Sequence, residues 1–406
     1  MDIDRRIHLI KSNKIIIISL LFTCVLICSC RPSVKYQIRG VINIPQALDN
    51  IKLVNLSEVA ESVKYIPLET TGKALIGNVS ALYCDERYIY VVDENNAIRI
   101  FDIKGRFIKN INRVGRGPGE YIGDVRNIFL SGGNLIVTTD YEVMEYDSNG
   151  NFIKKTVLPK VDDYIQRSPI RINENRYLSV MFRPHGTAEY SAVIYDSFLN
   201  IQKMIPIPRI SKANTQSSSS DMEYGGVVGF TAVEVARIFK YDNHVRISYP
   251  GTEEILSTDG SNIDTAYVID YGKYRQPEGV FASANDYYIN LVGFFETENY
   301  LLFNTTLGRV LNNSPTLARA LYDKKTMETT ILYDNVSKRE GLRDDIYGGP
   351  QFWPRSASGR HTFISSRSAI SMKSYVEKNS VSEELSTLIS GLTENSNPVV
   401  IIVEMK

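Results

Sequence analysis

Cysteine, histidine and tryptophan are scarce: 406 residues hold four, four and one of them. Three cysteines, Cys24, Cys28 and Cys30, fall within the first thirty residues, so a chain cut before Cys30 keeps only Cys30 and Cys84. That excludes a disulfide framework and leaves stability to an apolar core. Cys84 follows the apolar stretch Ala81–Tyr83 and reads as a buried, inert thiol. His185, His244 and His361 are each isolated, without the close spacing of a zinc site, so neither a metal nor a cofactor is expected. An excess of charge is missing as well: 46 basic residues meet 46 acidic ones, which gives no reason to expect a nucleic-acid partner. A nucleotide-binding P-loop and a Gly-x-Ser-x-Gly nucleophile elbow are both absent.

Long apolar runs are lacking too. The longest, Ile15–Ile27, follows Arg5, Arg6, Lys11 and Lys14 and falls short of the roughly 20 residues a spanning helix needs. It reads as the short apolar region of a signal peptide spanning residues 1–29. Ile27-Cys28-Ser29-Cys30 resembles the bacterial lipobox, so Cys30 is expected to be cut free and lipidated. Several acyl chains, each buried CH₂ worth about 0.8 kcal/mol, hold such a protein on a membrane. Residues 30–50 are then a tether and 51–406 the folded domain.

What is abundant is tyrosine, 25 residues, with 15 phenylalanines, set in short alternating stretches broken by Gly, Asn and Asp. Arg87–Asn110 and Asn134–Lys155 repeat one plan: a strand, a second strand ending in an aromatic plus Asp, a glycine turn, then Phe-Ile-Lys. Weaker copies start near Arg176, His244, Tyr300 and His361, the last with Ser368–Val376 as its second strand. Six units of about 45 residues match the period of propeller blades, which must stack to bury their faces. The expected fold is therefore all-β, a six-bladed β-propeller. The β-branched strand Pro398–Met405 should close the ring against strands near Ile51–Leu68. A short helix around Glu384–Ser390 should precede it, with Ser380 and Glu383 as capping box and Gly391 as stop.

Tyr65–Thr70 (YIPLET), Leu75–Gly77 (LIG), Phe101–Phe107 (FDIKGRF), Gly115–Tyr121 (GRGPGEY) and Asn397–Val403 (NPVVIIV), behind a leader ending at Cys30, resemble the six-bladed propeller lipoproteins of Bacteroidota. That family is similar to NHL-repeat propellers and brings no catalytic set with it. The resemblance implies an envelope lipoprotein. Arg31–Lys35 contains no acidic residue of the kind that tags some surface lipoproteins, which points to the outer membrane's periplasmic side.

Candidate ligand contacts come from two sources. The loop Arg113–Tyr121 offers Arg113, Arg116 and Glu120, either to hold an anion or to pair Arg116 with Glu120 as an inter-blade pin. Residues flanking inner strands, Tyr141, Arg183, His185, Tyr249, Arg275, Arg343, Trp353 and Arg355, suit sugar, peptide or protein contacts. Asp147, Asn149 and Asn151 surround Gly150 and read as a hairpin turn rather than a calcium loop. Asp140, Glu142, Glu234, Asp264 and Asp344 are the carboxylates that could pair across blades for glycoside cleavage. The expected function is a binding or scaffolding module for a glycan, peptide or envelope protein. The alternative is an envelope hydrolase or lyase working at the axis, with catalytic residues unknown. Ser211–Ser220 reads as a loop too polar to pack.

Overall fold

The computed structural model describes residues 39–111, 114–183, 189–207, 236–249, 252–275, 288–306, 317–334 and 339–406. The leader, Cys30 and the loop 211–220 lie outside them. The described chain opens with β1 (Gly40–Asn43), α1 (Ile44–Asp49), α2 (Leu56–Val59) and β2 (Ala60–Pro67). Blade 1 is β3 (Val79–Cys84), β4 (Tyr88–Asp93), β5 (Ile98–Asp102) and β6 (Phe107–Ile111). Blade 2 is β7 (Asn127–Ser131), β8 (Asn134–Thr138), β9 (Glu142–Tyr146) and β10 (Phe152–Val157), and blade 3 is β11 (Ile165–Asn173), β12 (Arg176–Phe182), β13 (Tyr190–Asp196) and β14 (Ile201–Pro206). Blade 4 is β15 (Arg237–Tyr241), β16 (His244–Ser248), β17 (Glu254–Thr258) and β18 (Ile263–Asp270). Blade 5 is β19 (Asn290–Glu296), β20 (Tyr300–Thr306), β21 (Leu317–Asp323) and β22 (Glu328–Asp334), with the short β23 (Arg339–Glu340) at its edge. Blade 6 holds β24 (Ser356–Ser358), β25 (Thr362–Arg367) and, after helices α3 (Ala369–Lys378) and α4 (Glu383–Ser390), the last strand β26 (Val399–Met405).

This is a six-bladed propeller, and the six second strands begin where the repeat places them. Each sheet is a four-stranded antiparallel meander, with β1 added to blade 4 and β23 to blade 5. The first strands adjoin around the axis: β24, β3, β7 and β11 in turn, then β15, β19 and β24. Such a meander gives the ring two ends. Connections from fourth to first strand and from second to third emerge at one end, here called upper. The hairpin turns joining first to second and third to fourth strands emerge at the lower end.

The lower turns share a local device. Asp102, Asp147 and Asp196 each use Oδ1 to accept the backbone N–H groups two and four residues on, and the Asp147 turn also draws in the Asn151 amide. The hairpin reading of Asp147–Asn151 agrees with these bonds. Gly105 and Gly150 then sit at φ +82° and +74°, where a side chain would be strained.

The ring closes without a covalent link. β2 pairs with β26 from Ala60–Met405 to Pro67–Val399, as the closing-strand expectation required. β26 is flanked by β2 and β25 within its sheet and by packed residues on both faces, which is why its VVIIVEM sequence is apolar almost throughout. Asn397, buried just before it, accepts from Ile76 N–H at 2.9 Å and donates to the carbonyls of Glu69 and Ala74 at 2.7 Å each.

Three local expectations are corrected. Residues 40–49 are not tether: β1 pairs in parallel with β18, and α1 buries Ile44 and Ala47, its start capped by Asn43 and its first turn entered by Pro45. Ser368–Val376 is helix rather than strand, because Ser368 caps α3 and its buried residues, Ala369 and Met372, are spaced three apart. Ser382, not Ser380, caps α4 by accepting from Leu385 N–H, and Gly391 ends that helix at φ −73° without a left-handed turn.

Candidate functional site

The candidate ligand contacts that are described all lie in upper-end connections, and the structure gives them different jobs. Arg113 and His185 fall outside the described residues. The Gly115–Tyr121 loop is a brace between blades 1 and 2. Tyr121 is fully buried and its hydroxyl donates to the Asn96 carbonyl, while Asn96 Oδ1 accepts from Val125 N–H at 2.8 Å. Glu120 does not pair with Arg116, which is exposed; its carboxylate accepts from Gly117 N–H at 2.7 Å. Lys155 donates to the Glu120 carbonyl at 2.9 Å and pairs with the buried Glu142 at 2.8 Å, whose other oxygen accepts from Ile122 N–H at 3.1 Å. Left-handed backbone in this loop belongs to Gly119, at φ +77° against the Phe152 ring, and not to Gly117.

Around the rest of the upper end the picture is mixed. Tyr249 was expected on the rim and is instead buried in the core between blades 3 and 4, in one apolar cluster with Ile247, Val245 and Ile172. Arg183 donates to Asp163 at 2.7 Å and covers the Tyr164 ring. Arg275 pairs with Glu253 at 3.2 Å. Arg355 donates to the inner-edge carbonyl of Val79, and Ser356 and Ser358 do the same to Leu82 and Cys84. These bonds close the inner edge of β3, whose carbonyls have no strand partner on that side. Trp353 is half-buried with the Arg319 guanidinium 5.1 Å from its ring centre, and Arg343 is exposed while its backbone bridges to α2.

Asp344, Asp140 and Glu142 are structural. Asp344 accepts from Tyr65 Oη at 2.6 Å and from three backbone N–H groups, so it organises the loop that carries Arg343 and Trp353. Asp140 takes both forks of Arg126 at 3.0 and 2.7 Å, and Glu142 is paired as above. Glu234 is outside the described residues, and Asp264 Oδ1 is buried without a hydrogen bond. Burial pushes the Cys84 thiol up to about 12, consistent with an inert side chain. Among the described residues no cluster of three or more His, Cys, Asp or Glu could hold a metal, and no helix is long and apolar enough to cross a membrane.

Two features were not anticipated. At the top of blade 2, Tyr141 is 60 % exposed beside Ile122, Val157 and Val114, themselves 42 %, 60 % and 48 % exposed. Three contacts make them neighbours: Leu158 N–H donates to the Tyr141 carbonyl, Ile122 N–H to the Glu142 carboxylate, and Val114 bridges Tyr121. Their spacing over 44 residues of sequence hides the grouping. At the lower end, a cleft of about 630 Å³ opens between blades 6 and 1, lined by Lys64, Asp85, Arg87, Thr362 and Glu404 over a floor including Tyr83 and Ile402.

A protein of Bacteroides fragilis NCTC 9343 that is inferred to be exported has a similar solved structure, with a TM-score of 0.64 over 90 % of this chain and 99 % of that one at 17 % identity. At that identity the likeness concerns the fold. An oligogalacturonate lyase in complex with manganese (TM-score 0.38, 10 % identity, 88 % and 98 % covered) and PorZ of the Porphyromonas gingivalis type-IX secretion system (0.35, 11 %, 68 % and 29 %) are too distant to carry any argument. No curated protein matches. Residues 39–404 match the model of a domain of unknown function, DUF4934, and the chain belongs to that family.

Proposed function

We propose that the chain is an exported binding or scaffolding propeller, held on the outer membrane's periplasmic side by lipid on Cys30, whose upper end engages a peptide or envelope protein. The observation that carries the reading is the top of blade 2. There a buried Glu142–Lys155 pair and Tyr121 brace the loops, yet leave Tyr141, Ile122, Val157 and Val114 open to water. Rigid loops around an exposed aromatic and aliphatic group suit an apolar peptide or protein surface, since little ordering entropy remains to be lost on binding. A glycan would instead draw on free polar side chains, and Arg183 and Arg275 are already paired. The hydrolase alternative has no observation in its favour, because Asp140, Glu142 and Asp344 hold the scaffold together. Export has the support of the similar Bacteroides fragilis protein and of the leader.

The experiment is site-specific photocrosslinking in intact cells, with the reactive side chain at position 141 and, as control, at Lys154 on the outer edge of the same blade. A discrete adduct at 141 alone, lost on Ile122→Asp, is expected. Equal labelling at both positions, or none at 141, would overturn the assignment.

A further inference from the structure

We propose that the lower end of blades 3 to 5 is a membrane-docking face, drawn to the bilayer by the short chain between Cys30 and Gly40 and seated there by Phe198 and Met327. This rests on the reading that Cys30 is lipidated, and deepens it by giving the anchored domain an orientation.

The first support is where the folded chain starts. β1 runs parallel to β18, which rises from the lower turn after Thr258 toward Asp270 at the upper end. Gly40 lies opposite Tyr267, and Arg39 N–H donates to the Ala266 carbonyl at 2.8 Å. The chain therefore enters blade 4 from the lower side. Nine residue steps separate Cys30 from Arg39, an extended reach of about 30 Å at most. A lipid on Cys30 thus keeps Arg39, beside β18 of blade 4, within about 30 Å of the acyl chains.

The second support is what the neighbouring turns carry. Two residues beyond the turn-opening aspartate, blades 1, 2, 4 and 5 present Lys104, Asn149, Ser261 and Lys325, all exposed and polar. Blade 3 presents Phe198, 84 % exposed. The next residue, Leu199, occupies φ +64° where blades 1 and 2 use glycine, and its side chain packs on the blade 2–3 core, fixing the turn that holds Phe198 out. On the far side of blade 4, the corresponding turn of blade 5 exposes Met327 by 60 %, again at positive φ (+60°). Leu199 and Met327 at left-handed positions cost stability that glycine would not, and exposing Phe198 and Met327 to water gains nothing for the fold. Both tips flank the blade into which the anchored chain runs. A lipid surface accepts such side chains at its interface, and tethering raises their effective concentration there so that two tips suffice.

The full-length lipidated protein would be reconstituted into phosphatidylcholine vesicles, plain or with brominated acyl chains, and tryptophan fluorescence read in both. Wild type supplies the reference, because its one tryptophan, Trp353, is at the upper end. Phe198→Trp and Met327→Trp are expected to add emission that is blue-shifted and largely quenched by brominated lipid, with Trp353 unaffected. Added emission that is unquenched while the protein floats with vesicles would overturn the docking and leave the anchor standing. Quenching of Trp353, or of Tyr141→Trp, would show the opposite end facing lipid and overturn it equally. Cys30→Ala that still floats with vesicles would refute the anchor, and the docking argument with it.

Discussion

The seam between blades 4 and 5 and the seam between blades 6 and 1 fill equivalent positions with opposite chemistry. The third residue of every second strand is buried in its seam: Tyr90, Ile136, Leu178, Arg246, Leu302 and Ile364. Only blade 4 places a charge there. Arg246 forks onto Glu296 at 2.8 and 3.1 Å, Lys324 meets the same carboxylate at 2.8 Å and Tyr267 Oη donates to it at 2.8 Å. At the matching places between blades 6 and 1 stand Ile364, Cys84 and Ile103, all apolar. Burial works against the ionised form of Glu296, but Lys324 and Arg246 outweigh it and hold the carboxyl below its usual range. Lys324 shares that one carboxylate with Arg246, so for it burial prevails and lowers the ammonium's value. One propeller thus shows that a seam can be closed either way, and that the two closures should fail differently.

The largest effect should come from breaking the polar seam alone. Glu296→Ala leaves Arg246 and Lys324 buried without a counter-charge and should cost about 3–5 kcal/mol in urea unfolding. Its apolar counterpart, Cys84→Ala, removes one sulfur and should cost about 1 kcal/mol. Equal losses would erase the distinction. The difference between wild type and Glu296→Ala should also depend on pH. A carboxyl whose folded value is depressed contributes fully above its unfolded value of about 4.3 and loses that contribution as pH falls through the lower folded value. The two unfolding free energies should therefore converge in acid and separate toward neutrality.

The apolar seam has its own polar clasp. Asn397→Ala leaves Ile76 N–H and the Glu69 and Ala74 carbonyls without their partner where the chain's two ends meet, and should cost about 2–3 kcal/mol. A loss below that of Cys84→Ala would mean closure depends on β2–β26 pairing alone.

The seam between blades 1 and 2 sharpens the comparison, because a loop covers it. Gly119→Val combines a β-branched side chain at φ +77° with a Cβ 2.8 Å from the Phe152 ring, and should cost about 2 kcal/mol. Gly117→Val meets only the movable Glu120 carboxylate at 3.0 Å and should cost less. The reverse order, read by melting temperature, would put the strained position at Gly117 instead.

Which of this was legible in the sequence follows a physical divide. Blade number and second-strand starts are written locally, in period-two alternation and in turns such as Lys104-Gly105 and Asn149-Gly150, and the apolar run Val399–Met405 marks the closing strand. Ser368–Val376 follows the repeat's place for a strand, yet its packed residues Ala369, Met372 and Val376 carry the spacing of a helix face. Tyr249 was misplaced because an aromatic after a strand gives no sign of which way its turn folds. The site was less legible still. The Glu142–Lys155 brace and the Tyr141–Ile122–Val157 group join residues from separate strands and loops, and only packing brings them together. Phe198 does leave a sign, Ser-Phe-Leu where other turns have Lys-Gly or Asn-Gly, but a lone exposed aromatic in a turn points to no ligand by itself.

The smallest effect tests the comparison hardest. If the two seams are alternative solutions, the polar one should be convertible: Arg246→Met, Glu296→Leu, Lys324→Met and Tyr267→Phe together roughly keep volume while removing every charge and the hydroxyl. Desolvation of three ions offsets most of their mutual attraction, so this variant should unfold within about 1–2 kcal/mol of wild type although it contains a change at Glu296. The same four positions altered singly should sum to far more, since each single change strands a buried partner. A combined variant as unstable as Glu296→Ala would mean that Ser257 and the Tyr241 ring, which also face Arg246, need the charge for packing and not only for balance. Blade 4 would then hold its arginine for a reason the apolar seams do not share.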